Sequence, residues 1–390
     1  MAQLKAARAA DVPSACITGV LLSPYTLPFA NLLILVLAAA AEARGAIAAG
    51  RPPLVVIGHR GKGMNALASS PDALGDVVRE NTLRSFNDAA RCPGASYVEF
   101  DVQVTKDGCP VIFHDTFIFT TEQDGQISEK RVTDLCLDEF LSYGPQRDHG
   151  KAGKPLLRKL KDGRIVKWDV QSDDALCTLR EAFQGVHCRV GFNVELKFDD
   201  GTAYTEDELT GTLQAIVFEH ANGRPIIFSS FQPDAALLMR RLQDKYSVYF
   251  LTKGGTEVFA DPRRNSLDEA VRLSLAGGLQ GVVSEVRAIL RQPSAVAEIK
   301  EARLSLLTYG QLNNVPEVVY VQHLMGVDGV IVDLVCEIAK AVSAFNATPE
   351  TGSEEGGGGE GEKTAAEVGT PMFSHREISF LLRLIPELVQ

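Results

Sequence analysis

Short apolar stretches rich in β-branched residues recur along the chain, and helix-like stretches separate most of them. Eight of these stretches are predicted strands, namely Leu54–Gly58, Tyr97–Val104, Gly191–Leu196, Pro225–Ser229, Val248–Thr252, Gly281–Ser284, Leu304–Tyr309 and Gly329–Asp333. Helical patterns occupy Glu80–Ala90, Glu206–Glu219, Pro233–Leu242, Ser266–Leu275, Ser294–Ala302 and Val315–Met325. Near-continuous apolar strands that alternate with helices indicate a parallel sheet covered by helices.

The number of strand–helix units narrows the choice of fold. Eight units within about 250–300 residues match a closed (β/α)8 barrel. The alternative is an open doubly wound sheet, but no GxGxxG sequence follows the first predicted strand. Hydrophobic residues make up 45% of the chain, so a large core can be buried and wholesale disorder is excluded.

One further β-like run, Cys109–His114, breaks the alternation, because only residues 105–108 separate it from the second strand. A connection that short allows a hairpin but no parallel crossover. If the turn centres on residues 107 and 108, position 101 lies opposite about position 114. The hairpin is therefore predicted to bring His114 close to Asp101 and Glu99.

Composition divides the chain into four predicted regions. They are an N-terminal hydrophobic segment (1–50), the barrel (51–345), a Gly/Glu-rich linker (346–370) and a C-terminal amphipathic helix (371–390). Within the barrel region, the polar section Gly144–Asp174 is predicted to be an insertion near the rim, before the third strand. The C-terminal helix is predicted to dock on the body.

The N-terminal segment leaves the location of the protein open. No charged residue occurs between positions 17 and 41, and a run of that length can span a bilayer, so membrane contact through it is one prediction. A secretory signal, an organelle transit peptide and an unusual gene model fit the same run. All four interpretations exclude it from the catalytic fold.

The formal net charge of −11 argues against non-specific nucleic-acid binding, which needs a basic surface. Six glutamates and one lysine between positions 350 and 367 supply −5 of this charge, so the acidity says little about an active site. The seven cysteines are odd in number, widely spaced and without a CxxC pair. They are predicted to be reduced and mostly buried, and neither to form a disulfide framework nor to bind zinc as thiolates.

Charged and imidazole side chains collect at the predicted carboxyl ends of the first three strands, where a barrel carries its reactive groups. In chain order they are His59, Arg60, Glu99, Asp101, His114, Glu195 and Lys197. The period of two along a strand puts Glu99 and Asp101 on one face. Three converging carboxylates without a soft ligand favour Mg²⁺ or Ca²⁺ over zinc. The alternative is that these acids only form structural ion pairs with Arg60 and Lys197.

The two histidines at these strand ends suit a phosphodiester, which needs one proton removed from the nucleophile and another given to the leaving oxygen. Arg60 and Lys197 supply donors for the non-bridging phosphate oxygens. The remaining histidines have no comparable setting and are predicted to be surface or core residues: His149, His187, His220, His323 and His375.

Six motifs in order resemble those of the glycerophosphodiester phosphodiesterases, and the similarity runs across residues 54–340. They are His59-Arg60-Gly61, Glu80-Asn81-Thr82, Glu99-Phe100-Asp101-Val102, Thr105-Lys106-Asp107-Gly108, His114-Asp115 and Glu195-Leu196-Lys197. The segments GHRGKGMN (58–65), YGPQRD (143–148) and FSSFQPDAALL (228–238) resemble the eukaryotic branch, most of all its plant members.

The resemblance implies a TIM barrel of the phosphatidylinositol-phospholipase-C-like type and a metal-dependent hydrolysis. Substrates such as glycerophosphocholine and glycerophosphoethanolamine would yield sn-glycerol 3-phosphate and an alcohol, in phospholipid turnover and phosphate recycling. It further implies an acid–base pair of His59 and His114, and a plastid or cytosolic location. The resemblance also implies that one divalent cation is bound by Glu99, Asp101 and Glu195. The substrate would be contacted by Arg60, Lys197 and Tyr309.

Two other functions remain open from the sequence. A phospholipase-D-like enzyme that acts on lysophospholipids at a membrane would use the N-terminal run to reach the bilayer. A barrel that binds a phosphodiester without turnover is the non-enzymatic alternative, because function depends on the site and not on the fold. Tyr309 stands where many family members carry a Trp near the glycerol, so the head-group preference is expected to differ.

Overall fold

The computed structural model describes residues 53–65, 77–148, 150–160, 162–216 and 223–346. The predicted N-terminal segment, linker and C-terminal helix lie outside these residues, apart from residue 346, and their boundaries stay predictions. Among the described helices, none combines the length and apolar character that crossing a membrane requires.

The strands follow one another along the chain with short helices between many of them. They are β1 (Val55–Gly58), β2 (Ala95–Val104), β3 (Pro110–Ile112), β4 (Phe117–Thr121), β5 (Ile127–Arg131), β6 (Leu157–Lys159), β7 (Ile165–Lys167), β8 (Cys177–Thr178), β9 (Gly191–Leu196), β10 (Ile226–Ser230), β11 (Ser247–Thr252), β12 (Gly281–Glu285), β13 (Ser305–Tyr309) and β14 (Gly329–Val332).

Strands β1, β2 and β9–β14 form a closed parallel barrel. Each pairs in parallel with its neighbours, and β1 pairs with both β14 and β2, which closes the sheet. All eight predicted barrel strands are present, with ends that differ from the prediction by at most two residues. The (β/α)8 barrel predicted from the alternation is therefore confirmed, and the open doubly wound sheet is excluded.

The α-helices in the described part of the chain cover the outside of the barrel, except the second, which packs in the insertion between β3 and β8. They are α1 (Leu83–Arg91), α2 (Leu137–Leu141), α3 (Leu179–Gly185), α4 (Glu206–Ile216), α5 (Pro233–Leu242), α6 (Leu267–Gly277), α7 (Val286–Arg291), α8 (Ser294–Glu301), α9 (Pro316–Met325) and α10 (Val335–Asn346). The helix predicted from Glu80 begins instead at Leu83. Thr82 caps it by accepting a hydrogen bond from Ser85 N. Asn81 has a left-handed φ of 56°, which a residue within a right-handed α-helix does not adopt. The sequence pattern missed α2, α3, α7 and α10.

Alternation along β2 divides its side chains between two environments. Val98, Phe100 and Val102 belong to the apolar core between barrel and helices, where the ring of Phe100 lies 4.9 Å from that of Phe192. The residues between them, Glu99 and Asp101, therefore point into the barrel. Burial of the aromatic face fixes the register and so fixes where the two carboxylates point.

Strand β3 folds back antiparallel on β2, as predicted, but the register differs by one residue. Thr105 N donates to Cys109 O, so the turn centres on residue 107 alone. Phe113 N consequently donates to Asp101 O at 2.9 Å, and position 113 rather than 114 lies opposite Asp101. His114 is the next residue along and still lies at this end of the barrel.

The insertion between β3 and β8 is larger than the predicted section Gly144–Asp174. It forms a separate antiparallel sheet of order β5-β4-β6-β7, which begins at Phe117. Its core includes Phe140 and Trp168, which pack around Phe113 at the end of the hairpin. Sequence pattern missed the sheet because its strands are three to five residues long, and β5 reads ISEKR.

Among the described residues, four cysteines are free as predicted, but the prediction fails for the other two and for their burial. Cys92, at the end of α1, forms a disulfide with Cys336 in α10, with Cα atoms 4.8 Å apart. The partners are 244 residues apart in sequence, and only closure of the barrel brings them together, so spacing rules cannot detect them. Of the free cysteines in the described part of the chain, Cys177 alone is buried, whereas Cys136 and Cys188 are exposed.

Candidate active site

Three carboxylates converge at the carboxyl ends of β2 and β9. Asp101 and Glu195 are register partners, and Glu99 lies on the same face two residues before Asp101. One oxygen from each carboxylate lies within 4.8 Å of the others, and Glu99 and Asp101 are buried. All three acids predicted from the sequence as metal ligands thus lie in one cluster.

The electrostatics of this cluster fit a divalent cation. Burial and, after it, the charge of Asp101 raise the pKa of Glu99 to about 8. Burial also works to raise the pKa of Asp101, but the charges of His114, Lys197 and Arg60 outweigh it and hold that pKa low. Asp101 Oδ1 lies 3.5 Å from Lys197 Nζ and accepts no hydrogen bond from the residues described. Crowded acids with an unsatisfied oxygen suit a hard cation; the acids do not identify the ion.

His59 follows β1, and its Nδ1 lies 2.8 Å from Asp333 Oδ1. Asp333 follows the neighbouring strand β14 and is itself held by Met64 N at 2.8 Å and Asn314 Nδ2 at 2.9 Å. Burial works to lower the pKa of His59, but the hydrogen bond to Asp333 and the charges of Asp333 and Glu99 together outweigh it, and the pKa is raised. Burial opposes ionisation of Asp333, but the bond and charge of His59, with the hydrogen bonds from Met64 and Asn314, lower its pKa to about 2.

His114 follows the hairpin strand β3, and its Nδ1 lies 2.8 Å from Asp115 Oδ1. Burial, followed by the charges of Arg60 and Lys197, lowers the pKa of His114. Burial opposes ionisation of Asp115, but His114 and Arg158 lower its pKa to about 2. A carboxylate thus holds Nδ1 of both imidazoles, so Nε2 of each ring is the nitrogen that faces a reactant.

The two predicted phosphate contacts stand inside the carboxylate cluster. Arg60 is buried, with NH1 2.7 Å from Glu80 Oε1 and Nε 3.6 Å from Asp101 Oδ2. Its backbone N–H donates to Glu99 Oε2 at 2.8 Å, from a left-handed φ of 50°. Lys197 Nζ donates to Glu195 Oε1 at 2.8 Å. The ion pairs considered from the sequence are therefore present, but they leave Arg60 Nε and Asp101 Oδ1 without a hydrogen-bond partner among the described residues.

Tyr309 ends strand β13 at the same mouth of the barrel. Its hydroxyl donates to Thr252 O at 3.2 Å, and its ring lies 6.1 Å from that of Phe231, edge to face. Burial raises the pKa of Tyr309 well above its ordinary value, with further contributions from Glu285 and Glu195. The aromatic side chain thus stands at the same mouth of the barrel as the carboxylate cluster.

Several residues of this site had no role assigned from the sequence. Asn81 Nδ2 donates to Asp101 Oδ2 at 2.8 Å, and Glu80 holds Arg60, although both stand in a recognised motif. Asp333 carried a usable signal, because it ends the last predicted strand and the strand-end rule applies there too. Arg158 carried none, since it lies in a short polar strand of the insertion.

A barrel that gathers carboxylate-held histidines, clustered carboxylates and buried cations at the carboxyl ends of its strands has the site of a TIM-barrel hydrolase. The glycerophosphoryl diester phosphodiesterase family matches residues 59–336. The chain belongs to this family, and the predictions of the family and of a glycerophosphodiester phosphodiesterase are confirmed.

Two plant relatives agree with this assignment. The chain is 56% identical over 340 residues to glycerophosphodiester phosphodiesterase GDPD1, chloroplastic, of Arabidopsis thaliana, which covers 86% of this chain and 90% of the relative. It is 58% identical over 306 residues to glycerophosphodiester phosphodiesterase GDPD3 of the same plant, with 78% and 82% covered.

Solved structures of bacterial proteins share the fold. An Oleispira antarctica phosphodiesterase in complex with the product sn-glycerol-3-phosphate matches with a TM-score of 0.52 and 20% identity, over 75% of this chain and 97% of that one. A glycerophosphodiester phosphodiesterase from Parabacteroides distasonis matches with a TM-score of 0.50 and 20% identity, over 76% and 99%. At this identity the likeness concerns the barrel alone.

Proposed function

We propose that this glycerophosphodiester phosphodiesterase hydrolyses glycerophosphocholine, glycerophosphoethanolamine and similar compounds to sn-glycerol 3-phosphate and a free alcohol. The observation that carries the proposal is the pair of carboxylate-held imidazoles on a single three-carboxylate cluster. The charge of His59 acts on Glu99, and that of His114 acts on Asp101. A phosphodiester bound at this cluster would have a proton donor and a proton acceptor within reach.

In the proposed reaction one imidazole takes the proton of the attacking oxygen, and the other protonates the departing alkoxide. The environments of the two rings push their pKa values apart, upward for His59 and downward for His114. Pairs with such opposite shifts divide into acid and base, so we assign the donor role to His59 and the acceptor role to His114. The attacking oxygen belongs to water or to the 2-hydroxyl of the substrate's glycerol.

The remaining groups bind and orient the phosphate. Glu99, Asp101 and Glu195 would hold one divalent cation, Mg²⁺ or Ca²⁺, which when bound supplies a Lewis acid for a non-bridging oxygen. Arg60 and Lys197 direct N–H donors towards the same oxygens, where developing negative charge strengthens these hydrogen bonds. The ring of Tyr309 packs against the glycerol backbone at the rim.

The reaction is tested by release of glycerol 3-phosphate from glycerophosphocholine by the full-length protein. The assay is run with Mg²⁺, with Ca²⁺ and with EDTA, beside the His59→Ala variant. Release that needs a metal and disappears in the variant supports both the reaction and the site. No release with either metal, from folded protein, contradicts the proposed substrates, and lysophospholipids in detergent are then the substrates to assay.

We also propose that residues 1–50 direct the protein to plastids, which the chloroplastic relative supports. The full-length chain with a fluorescent protein at its C-terminus should enter chloroplasts of leaf cells. The same fusion without residues 1–50 should stay in the cytosol. Fluorescence on the endoplasmic reticulum or the plasma membrane would instead favour the secretory or anchored alternative.

A further inference from the structure

We infer that Arg158, on strand β6 of the insertion, is a positioning residue that completes the active site. Its Nε lies 3.1 Å from Asp115 Oδ2, and its NH2 lies 3.2 Å from Glu80 Oε1. Asp115 holds His114, and Glu80 Oε1 also accepts from Arg60 NH1 at 2.7 Å. The guanidinium of Arg158 therefore fixes two carboxylates, Asp115 behind the imidazole of His114 and Glu80 behind the phosphate contact Arg60. The inference rests on the proposed function of those two groups.

The surroundings of Arg158 favour an arginine at this position. The residue is 8% exposed, and its guanidinium carbon lies 4.3 Å from the centre of the Trp168 ring. NH1 also donates to Asn65 O at 3.4 Å, and Trp168 Nε1 donates to Asn65 Oδ1 at 3.2 Å. A planar fork can stack on an aromatic ring and still reach two carboxylates, whereas a lysine offers a single point charge.

The need for such a residue follows from where His114 lies in the fold. His114 lies two residues beyond the three-residue strand β3, with a third of its side chain exposed. Asp115 is the next residue in the same segment, so its carboxylate cannot by itself anchor His114 to another element of the fold. Arg158 is the described residue that ties Asp115 to the insertion, through a sheet with its own apolar core. The insertion is thus part of the catalytic apparatus rather than a passive addition to the rim.

A matched control exists at the opposite end of the barrel. Arg224 is 9% exposed and stacks on Phe192, with its guanidinium carbon 4.2 Å from the ring centre. It donates to Val186 O at 2.7 Å and Val190 O at 2.6 Å, and it precedes strand β10 at the end of the barrel away from the site. Arg158→Gln and Arg224→Gln therefore remove equally buried, equally stacked guanidinium groups, of which one reaches Asp115 and Glu80.

The test compares the kcat of these two variants in full-length protein, per folded molecule, with circular dichroism and the thermal midpoint as measures of folding. Both variants should lower the midpoint. Arg158→Gln should lower kcat roughly ten-fold or more, which is the usual effect of losing a residue that orients a group in contact with the reactants. The change in KM should be smaller. Arg158→Lys should recover part of kcat. Equal kcat values for Arg158→Gln and Arg224→Gln would overturn the inference.

Two further measurements keep the test decisive. If Arg158→Gln does not fold, Arg158→Lys is combined with Asp115→Asn, and additive losses of kcat would contradict an action through Asp115. The ¹⁵N signal of His114 Nδ1 should shift in the Arg158 variant and stay unchanged in Arg224→Gln. If the wild type hydrolyses no glycerophosphodiester, the proposed function fails. The imidazole signal then decides separately whether Arg158 positions His114.

Discussion

His59 and His114 are held by the same chemistry but by regions of different origin. The support of His59 belongs to the barrel, because Asp333 follows the strand next to β1, and His59 N donates to Val332 O at 2.9 Å. The support of His114 comes from a hairpin and from the insertion that contributes Arg158. The parallel barrel therefore supplies one half of the proposed acid–base pair from its regular geometry, and the other half depends on additions to it.

The charges around the two rings differ in the same way. His59 faces the carboxylates of Asp333 and Glu99, which help to raise its pKa against burial. Burial lowers the pKa of His114, and Arg60 and Lys197 lower it further. Two identical side chains thus acquire opposite preferences for a proton, and the predictions below separate the contributions of the two supports.

Removing either imidazole should cause the largest loss. His59→Ala and His114→Ala are each expected to reduce kcat by about 10²–10⁴-fold, the usual contribution of a positioned acid or base. Activity on glycerophosphocholine and circular dichroism are measured side by side. His187→Ala, which changes an exposed histidine outside the site, serves as the control. Near-normal turnover in both active-site variants would contradict the acid–base assignment for the whole pair.

Loss of a metal ligand should come next. Glu195→Gln removes one carboxylate of the three. Loss of a residue that only holds a metal ligand in place typically costs about 10–100-fold in affinity. Loss of a ligand itself is expected to weaken Mg²⁺ or Ca²⁺ binding by more than this. Calorimetric titration of the full-length protein measures the affinity. Glu285→Gln changes a half-buried carboxylate outside the cluster and should leave the metal affinity unchanged. An unaltered titration curve for Glu195→Gln would remove that residue from the ligand set.

The two carboxylates behind the histidines offer the most direct comparison. Asp333→Asn and Asp115→Asn should each lower kcat by about 10–100-fold, because each amide loses the charge that orients Nδ1. Asn314 Oδ1 still accepts from the backbone N–H of position 333, and Met64 N can still donate to the amide oxygen, so the imidazole of His59 should stay in place. We therefore expect the smaller loss for Asp333→Asn. The reverse order would mean that the barrel half of the site is the more fragile one.

The sequence predicted the part of the site that follows the regular geometry of a parallel barrel. Strand ends gave His59, Glu99, Asp101 and Glu195 because one rule places every such residue at one mouth. The hairpin was predicted from the short connection, yet its register was one residue off, since a turn centred on residue 107 pairs Thr105 with Cys109. A local turn hydrogen bond decides that detail, and the apolar pattern does not encode it.

The rest depends on contacts between distant parts of the chain. Arg158 reaches Asp115 and Glu80 from a three-residue strand, and nothing in the segment LRK distinguishes it from a surface strand. The disulfide between Cys92 and Cys336 likewise depends on closure of the barrel. Both features follow from tertiary packing, so period and spacing along the chain could not predict them.

The smallest expected effect concerns stability at acid pH. The folded-state pKa of Asp333, about 2, lies below the roughly 3.9 of an unfolded chain. The stability it contributes is therefore complete above about pH 4 and is lost as the pH falls towards 2. A shift of this size corresponds to at most about 2.6 kcal/mol.

In EDTA, the difference in unfolding free energy between wild type and Asp333→Asn should accordingly shrink between pH 4 and pH 2. Asp115→Asn should behave alike, because its pKa is also about 2. Urea unfolding at several pH values measures these differences, and Asp169→Asn, at an exposed residue of the insertion, is the control. A difference that persists unchanged to pH 2 in Asp115→Asn alone would mean that this carboxylate stabilises the insertion by its shape. The charge of the His114 support would then matter for catalysis and not for folding.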